Sequence, residues 1–267
     1  RWKAHPELAP PISTEISAMD VERIPGGPDA LWYSMSIGGV GRFDGASVAI
    51  IDQVDDFAKF AAHTLCVWNR PGKPSVVWVG TDYGLVRIEG SRIEQFDEEA
   101  GLPHHAVVRS IIAGESDGTV SMWVATEGGL ARIRRDSMES FGSDSGLGAN
   151  RPLDVVEVFD SNGTRRIVVG IANGGIAWIE PDASIPRWQH LSTETTPDLP
   201  NNDVVGLVAD RENRVYALTN KGVARITFRG KHHDGTDRTS IEVFTAEDGL
   251  PSSECNMRSG YLDSRGR

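Results

Sequence analysis

The chain has 267 residues, 39% of them hydrophobic, and carries 27 Lys and Arg against 38 Asp and Glu, a formal net charge of −11. A chain of that length buries a sizeable core, and its acidic balance argues against a nucleic-acid or anionic-membrane surface, which needs clustered cations. No apolar run approaches the roughly 20 residues of a membrane helix, and the opening RWKAHPELAPP has no signal-peptide core and does not read as a natural beginning.

Along the chain one pattern recurs five times: LWYSMSIGGVGRF (31–43), VWVGTDYGLVRI (77–88), MWVATEGGLARI (122–133), IVVGIANGGIAWI (167–179) and VYALTNKGVARI (215–226). Each is an apolar strand, a small or polar turn, a glycine, and a second strand with alternating apolar positions. The glycines fall at Gly39, Gly84, Gly129, Gly175 and Gly222, in steps of 45, 45, 46 and 47 residues. A second element keeps nearly the same beat: EEAGLP (98–103), SDSGLG (143–148), TTPDLP (195–200) and AEDGLP (246–251), with Leu102, Leu147, Leu199 and Leu250 spaced by 45, 52 and 51. Insertions at 182–194 and 229–240 account for the longer steps. A fresh strand follows each closing element, as at 107–114, 153–159 and 204–210.

One repeat therefore reads strand, turn, strand, glycine hairpin, strand, loop, strand. Four short strands per repeat of this period are the signature of a β-propeller blade. The expected fold is all-β, with repeats at about 15–59, 60–103, 104–148, 149–200 and 201–251, and partial blades at both ends, the last at 252–267. Val, Ile, Trp and Tyr alternating with small residues suit half-buried strands, and SerAsnGly at 161–163 suits a tight turn. The stretch 54–65 is the exception, either a short helix or a loop with a turn of helix. Trp32, Trp78 and Trp123 occupy equivalent strand positions and are expected in the core. Cys66 and Cys255 are each assigned to the first strand of a repeat, as free and largely buried thiols. At the ends, either the chain is an excerpt of a longer propeller or its termini meet in a six-bladed ring. The ring lacks two strands, which favours the excerpt, and seven blades would need about 320 residues.

The pairing of a DGLP-like closing loop with a WVGT…GL hairpin resembles the two-component regulator propeller repeat. The likeness is strongest at 76–150 and 244–257, and weaker in IVVGIANGGIAWI and VYALTNKGVARI. It implies an extracytoplasmic or periplasmic sensor module of a bacterial receptor, preceding a further domain, a membrane span and a kinase or cyclase output in the same chain. It also implies a saccharide or other small polar ligand, without enzymatic activity or cofactor, and is compatible with a homodimer.

Within a propeller, the loops leading from one blade's outer strand to the next inner strand share a face with the loops between second and third strands. The first set carries His104, His105, Asn150, Arg151, Asn201, Asn202, Asp203, Ser253, Glu254 and Asn256; the second carries Ser36, Asp82, Tyr83, Glu127, Asn173, Asn220 and Lys221. Amides, hydroxyls, an arginine and aromatics suit a polar ligand in a concave mouth. Of these, Tyr83, His104, His105, Glu127, Asn150, Arg151, Asn173, Asn201, Asn202, Lys221, Ser253 and Glu254 form the candidate ligand-binding set. Each can equally be an ordinary loop residue, and Asn201 and Asn202 can cap a turn after Pro200. No metal site is expected: His104–His105 and His232–His233 are adjacent pairs whose side chains would point apart on a strand, without Cys or His at a zinc spacing. The second pair is assigned to a solvated loop on the opposite face. Besides the sensor, two readings stay open, a protein-binding scaffold and a polysaccharide-active propeller enzyme. The GxSxG, Walker and HExxH motifs are absent.

Overall fold

The structure, a computed structural model, describes residues 15–36, 39–51, 61–114, 119–134, 137–148, 151–184, 186–196, 198–233, 235–256 and 260. Strands β1 (Ile16–Glu22), β2 (Ala30–Met35), β3 (Val40–Phe43) and β4 (Val48–Ile51) form the first sheet. The second comprises β5 (Ala62–Trp68), β6 (Val76–Thr81), β7 (Gly84–Glu89) and β8 (Arg92–Phe96), and the third β9 (Val107–Gly114), β10 (Val120–Thr126), β11 (Gly129–Arg134) and β12 (Ser137–Phe141). Then follow β13 (Pro152–Phe159), β14 (Arg165–Ile171), β15 (Gly175–Ile179) and β16 (Gln189–Leu191), and finally β17 (Val204–Ala209), β18 (Val215–Thr219), β19 (Gly222–Lys231) and β20 (Asp237–Phe244). Each sheet is a four-stranded antiparallel meander in chain order. The sheets are β-propeller blades, packed consecutively, with β1 on β5, β5 on β9, β9 on β13 and β13 on β17. Among the described residues the first and fifth blades share no comparable packing.

The core explains why the strands read as nearly unbroken apolar runs. In β6, Val77 and Val79 pack toward the first blade with Trp32 and Val40, while Val76 and Trp78 pack toward the third with Met122 and Val124. A blade buried on both faces has no solvated side for polar residues to occupy. Each of the next interfaces also takes one leucine from a closing loop: Leu102 between the second and third blades, Leu147 between the third and fourth, and Leu199 between the fourth and fifth.

Two local devices set the repeat. Thr81, Thr126 and Thr219 end their strands, donate through Oγ1 to the carbonyls of Gly84, Gly129 and Gly222, and accept the amides of Tyr83, Gly128 and Lys221. The two-residue hairpin therefore closes with threonine immediately before the turn and glycine immediately after it. Those glycines sit at φ of +118°, +148° and +123°, where an L side chain is strained, and a Cβ would press into the carbonyl of the outer strand's last residue. Across the blade, Trp78 pairs with Arg87 and Arg87 with Glu94, as Trp123 does with Arg132 and Arg132 with Glu139. The guanidinium carbons stand 5.8 and 5.2 Å from the indole centroids. The fourth blade rearranges this ladder: Val168 takes the tryptophan position and Trp178 the arginine position opposite it.

Three expectations need correction. Residues 62–65, offered as part of a helix or loop, open β5, because Ala62, Leu65 and Val67 have an apolar neighbour in the first blade; residues 54–60 lie outside the described residues. The insertion at 229–240 is not simply solvated: it lengthens β19 and β20, and its Asp237 side chain is fully buried against the fourth blade. Cys255 is not in a strand, although its amide donates to the Thr219 carbonyl at 3.1 Å, and both cysteines are half-buried.

The turns between the first and second strands of the last two blades are folded around Asp160 and Asp210. Asp160 Oδ1 accepts the amides of Asn162 and Thr164; Asp210 Oδ1 accepts those of Glu212 and Arg214. Burial pushes both carboxyls up, but these amides, with Arg166 and Arg214, outweigh it and hold both below the usual range. A depressed folded value means the unfolded chain binds protons first, so the contribution is complete above the unfolded value near about pH 4 and is lost as pH falls through the folded one. Urea midpoints are expected to decline below about pH 4, and the Asp160→Asn, Asp210→Asn double variant to decline less steeply.

Candidate functional site

The loops named from the sequence share one face because each hairpin between second and third strands abuts the start of its own inner strand. Ser36, Asp82, Glu127 and Ala172 donate their amides to the carbonyls of Glu15, Ala61, Ala106 and Arg151. On this face, side chains of the second, third and fourth blades meet in one strip. The Tyr83 and His105 rings lie 6.1 Å apart at 24°, and those of His104 and His105 are stacked at 4.2 Å. Gly128 is pressed against Pro103 and His104, where a Cβ would come within 2.7 and 2.9 Å. Beside it, Glu127 Oε1 accepts from Arg151 Nη2 at 3.1 Å. His105 Nδ1 lies 2.9 Å from Glu98 Oε1, which also accepts the His105 amide. These hydrogen bonds, the imidazole's foremost, hold the Glu98 carboxyl below the usual range.

The histidine geometry overturns the expectation that the two side chains diverge. Residues 104 and 105 are in a loop and not a strand, so strand alternation does not apply to them.

Comparison of the closing loops explains much of the rest. The residue pair after each xLP is His104–His105, Asn201–Asn202 or Ser252–Ser253. The first member always accepts the amide two residues on: His104 Nδ1 from Ala106, Asn201 Oδ1 from Asp203, Ser252 Oγ from Glu254. The second member ties back to the loop's beginning: His105 to Glu98, Asn202 Oδ1 to the Thr193 amide, Ser253 Oγ to the Ala246 amide. Asn201, Asn202 and Ser253 thus have their side-chain oxygens engaged in shaping the loop. Asn202 also donates to Glu194, and Asn220 donates to Asp203 Oδ2 at 2.7 Å. Asn173 sits at φ +55° in its turn, and Lys221 and Glu254 are exposed. Asn150 lies outside the described residues.

The sequence reading missed Glu98 and His63. His63 Nε2 lies 2.5 Å from Asp82 Oδ1, but it falls in the stretch misread as a helix or loop. Glu98 was absorbed into the repeat as part of EEAGLP. Its signal is its place seven residues before His105, the spacing that also separates Ala246 from Ser253.

A separate cleft of about 760 Å³ runs along the flank between the second and third blades, lined by Trp68, Trp78, Arg87, Phe96, Met122 and Met138. None of the candidate ligand residues borders it.

No family model matches the chain, and no curated protein does. Solved structures do. The extracellular domain of the hybrid two-component system BT3049 from B. thetaiotaomicron is similar over 96% of this chain and 32% of its own, with 17% identity and a TM-score of 0.71. YCF48 from Cyanidioschyzon merolae matches over 89% of this chain and 73% of its own, at 10% identity and a TM-score of 0.57. Virginiamycin B lyase from Staphylococcus aureus matches over 84% and 69%, at 13% identity and a TM-score of 0.53. The chain thus spans about a third of the length of the first. At these identities the likeness establishes the propeller fold, and a fold shared with a lyase does not decide function. Among the described residues, no helix is long and apolar enough to cross a membrane.

Proposed function

We propose that this chain is an extracytoplasmic, non-catalytic sensor module of a signal-transduction receptor, and that its mouth binds a small polar ligand, a saccharide being the best fit. The observation that carries the reading is the likeness, across 96% of the chain, to the extracellular domain of a hybrid two-component system. The strip at the mouth supports the ligand class. Tyr83 is half-exposed, at 53%, and stands next to stacked imidazoles, so ring faces are available for the C–H face of a sugar. Glu127 and Arg151 beside them supply an acceptor and donors for hydroxyls.

A ligand gripped by loops of several blades would alter how the blades pack on a following domain or on a second copy, by no more than its preference for one arrangement. The test is a thermal-shift screen against mono- and oligosaccharides, amino acids and organic acids. A ligand at 100 times its Kd adds about 2.7 kcal/mol, a rise of roughly 5–10 °C at this size. Arg151→Ala is expected to weaken that ligand tenfold or more without moving the ligand-free midpoint. A chain that melts cooperatively and shifts with none of these compounds would point to a protein-binding scaffold instead.

A further inference from the structure

We infer that Glu98, His104 and His105 form a binding site for a borderline divalent transition ion, zinc or nickel, on the mouth. One nitrogen from each ring and one carboxylate oxygen lie within 4.8 Å of one another. An ion held at about 2.0–2.2 Å from each would draw them closer by roughly an ångström, within reach of half-exposed side chains on a loop. Two imidazoles among three ligands select zinc, nickel or copper over magnesium or calcium, which prefer oxygen alone. Three protein ligands leave a coordination position open to water or to an oxygen ligand.

The repeat supplies the second argument. Locking this loop needs no imidazole, since Asn201–Asn202 and Ser252–Ser253 do the same work in the equivalent loops. What distinguishes the His104–His105 loop is that its lock is made of metal-binding groups facing a carboxylate, where the Ser252–Ser253 loop has Ala246. In the ion-free loop His105 Nδ1 already lies 2.9 Å from Glu98 Oε1, so the ring and the carboxylate are held together before an ion arrives. His104 Nδ1 accepts the Ala106 amide, so this ring is also held in place within the loop. The inference stands apart from the sensor reading, because it uses only these three side chains.

The experiment is calorimetric titration of the intact chain with ZnCl2, NiCl2 and MgCl2, with circular dichroism checking the fold. The wild type is expected to bind zinc and nickel saturably at one ion per chain, and magnesium not at all. The His104→Asn, His105→Asn double variant copies the pair at 201–202, so it should keep its fold and melting midpoint while binding zinc at least tenfold more weakly. The His232→Asn, His233→Asn variant, altered at the other histidine pair, should bind as the wild type does. Unsaturable zinc binding, or equal affinity in the His104→Asn, His105→Asn variant, would overturn the inference.

Discussion

Replacing Arg166 by alanine is expected to lower the unfolding free energy by about 3–5 kcal/mol, because it strands buried carboxylates. The Arg166 side chain is fully buried. Its guanidinium pairs with Asp237 of the fifth blade, with Asp160 at 3.0 Å and with Glu180 at 3.2 Å. Asp237, also fully buried, accepts from Trp178 Nε1 at 2.6 Å and Gln189 Nε2 at 2.9 Å. Its amide donates back to Gln189 Oε1. The group therefore fastens the fourth blade to the fifth through one shared carboxylate. Asp237→Ala should cost a similar amount, and the double variant less than the sum, since each single change leaves the other charge unpaired. Urea unfolding monitored by tryptophan fluorescence measures all three. A loss below about 1 kcal/mol for Arg166→Ala would contradict the assignment, as it would rank with exposed ion pairs.

Gly84→Ala is the second large effect, expected at about 3 kcal/mol. Its φ of +118° costs an L side chain roughly 1–2 kcal/mol, and the added methyl presses into the Phe96 carbonyl, backbone that cannot swing away. Overpacking of this kind adds about 1–3 kcal/mol. Gly90→Ala is the matched control. That residue also has positive φ, +60°, but a Cβ there meets nothing within 4 Å, so only the backbone component of about 1 kcal/mol remains. Equal losses at the two positions would mean that close approach of the outer strand does not set the hairpin.

These two sites mark what could be read from the sequence and what could not. The hairpin glycines and the closing-loop leucines answer to local geometry repeated in every blade, so their spacing exposed the fold. Arg166 and Asp237 are 71 residues apart, and the insertion carrying Asp237 read as a solvated loop because charge was its only visible feature. The tryptophan of the fourth blade moved from the second strand to the third, which the core permits because both positions share one cross-strand pair. At the mouth, the loops were legible from topology. The contacts between their side chains were not, since Tyr83 meets His105 and Glu127 meets Arg151 across separate loops. The locking role of Asn201, Asn202 and Ser253 became visible only when equivalent loops could be compared atom by atom.

On the proposed function, the face carrying Tyr83, His104, His105, Glu127 and Arg151 holds the ligand. Hydrogen exchange of the chain, with and without a small molecule that raises its melting midpoint, tests it most directly. Protection is expected in the loops at 97–106, 126–129 and 151, with the flank lined by Trp68 and Met138 exchanging as before. Protection confined to that flank, with the mouth loops unchanged, would contradict it.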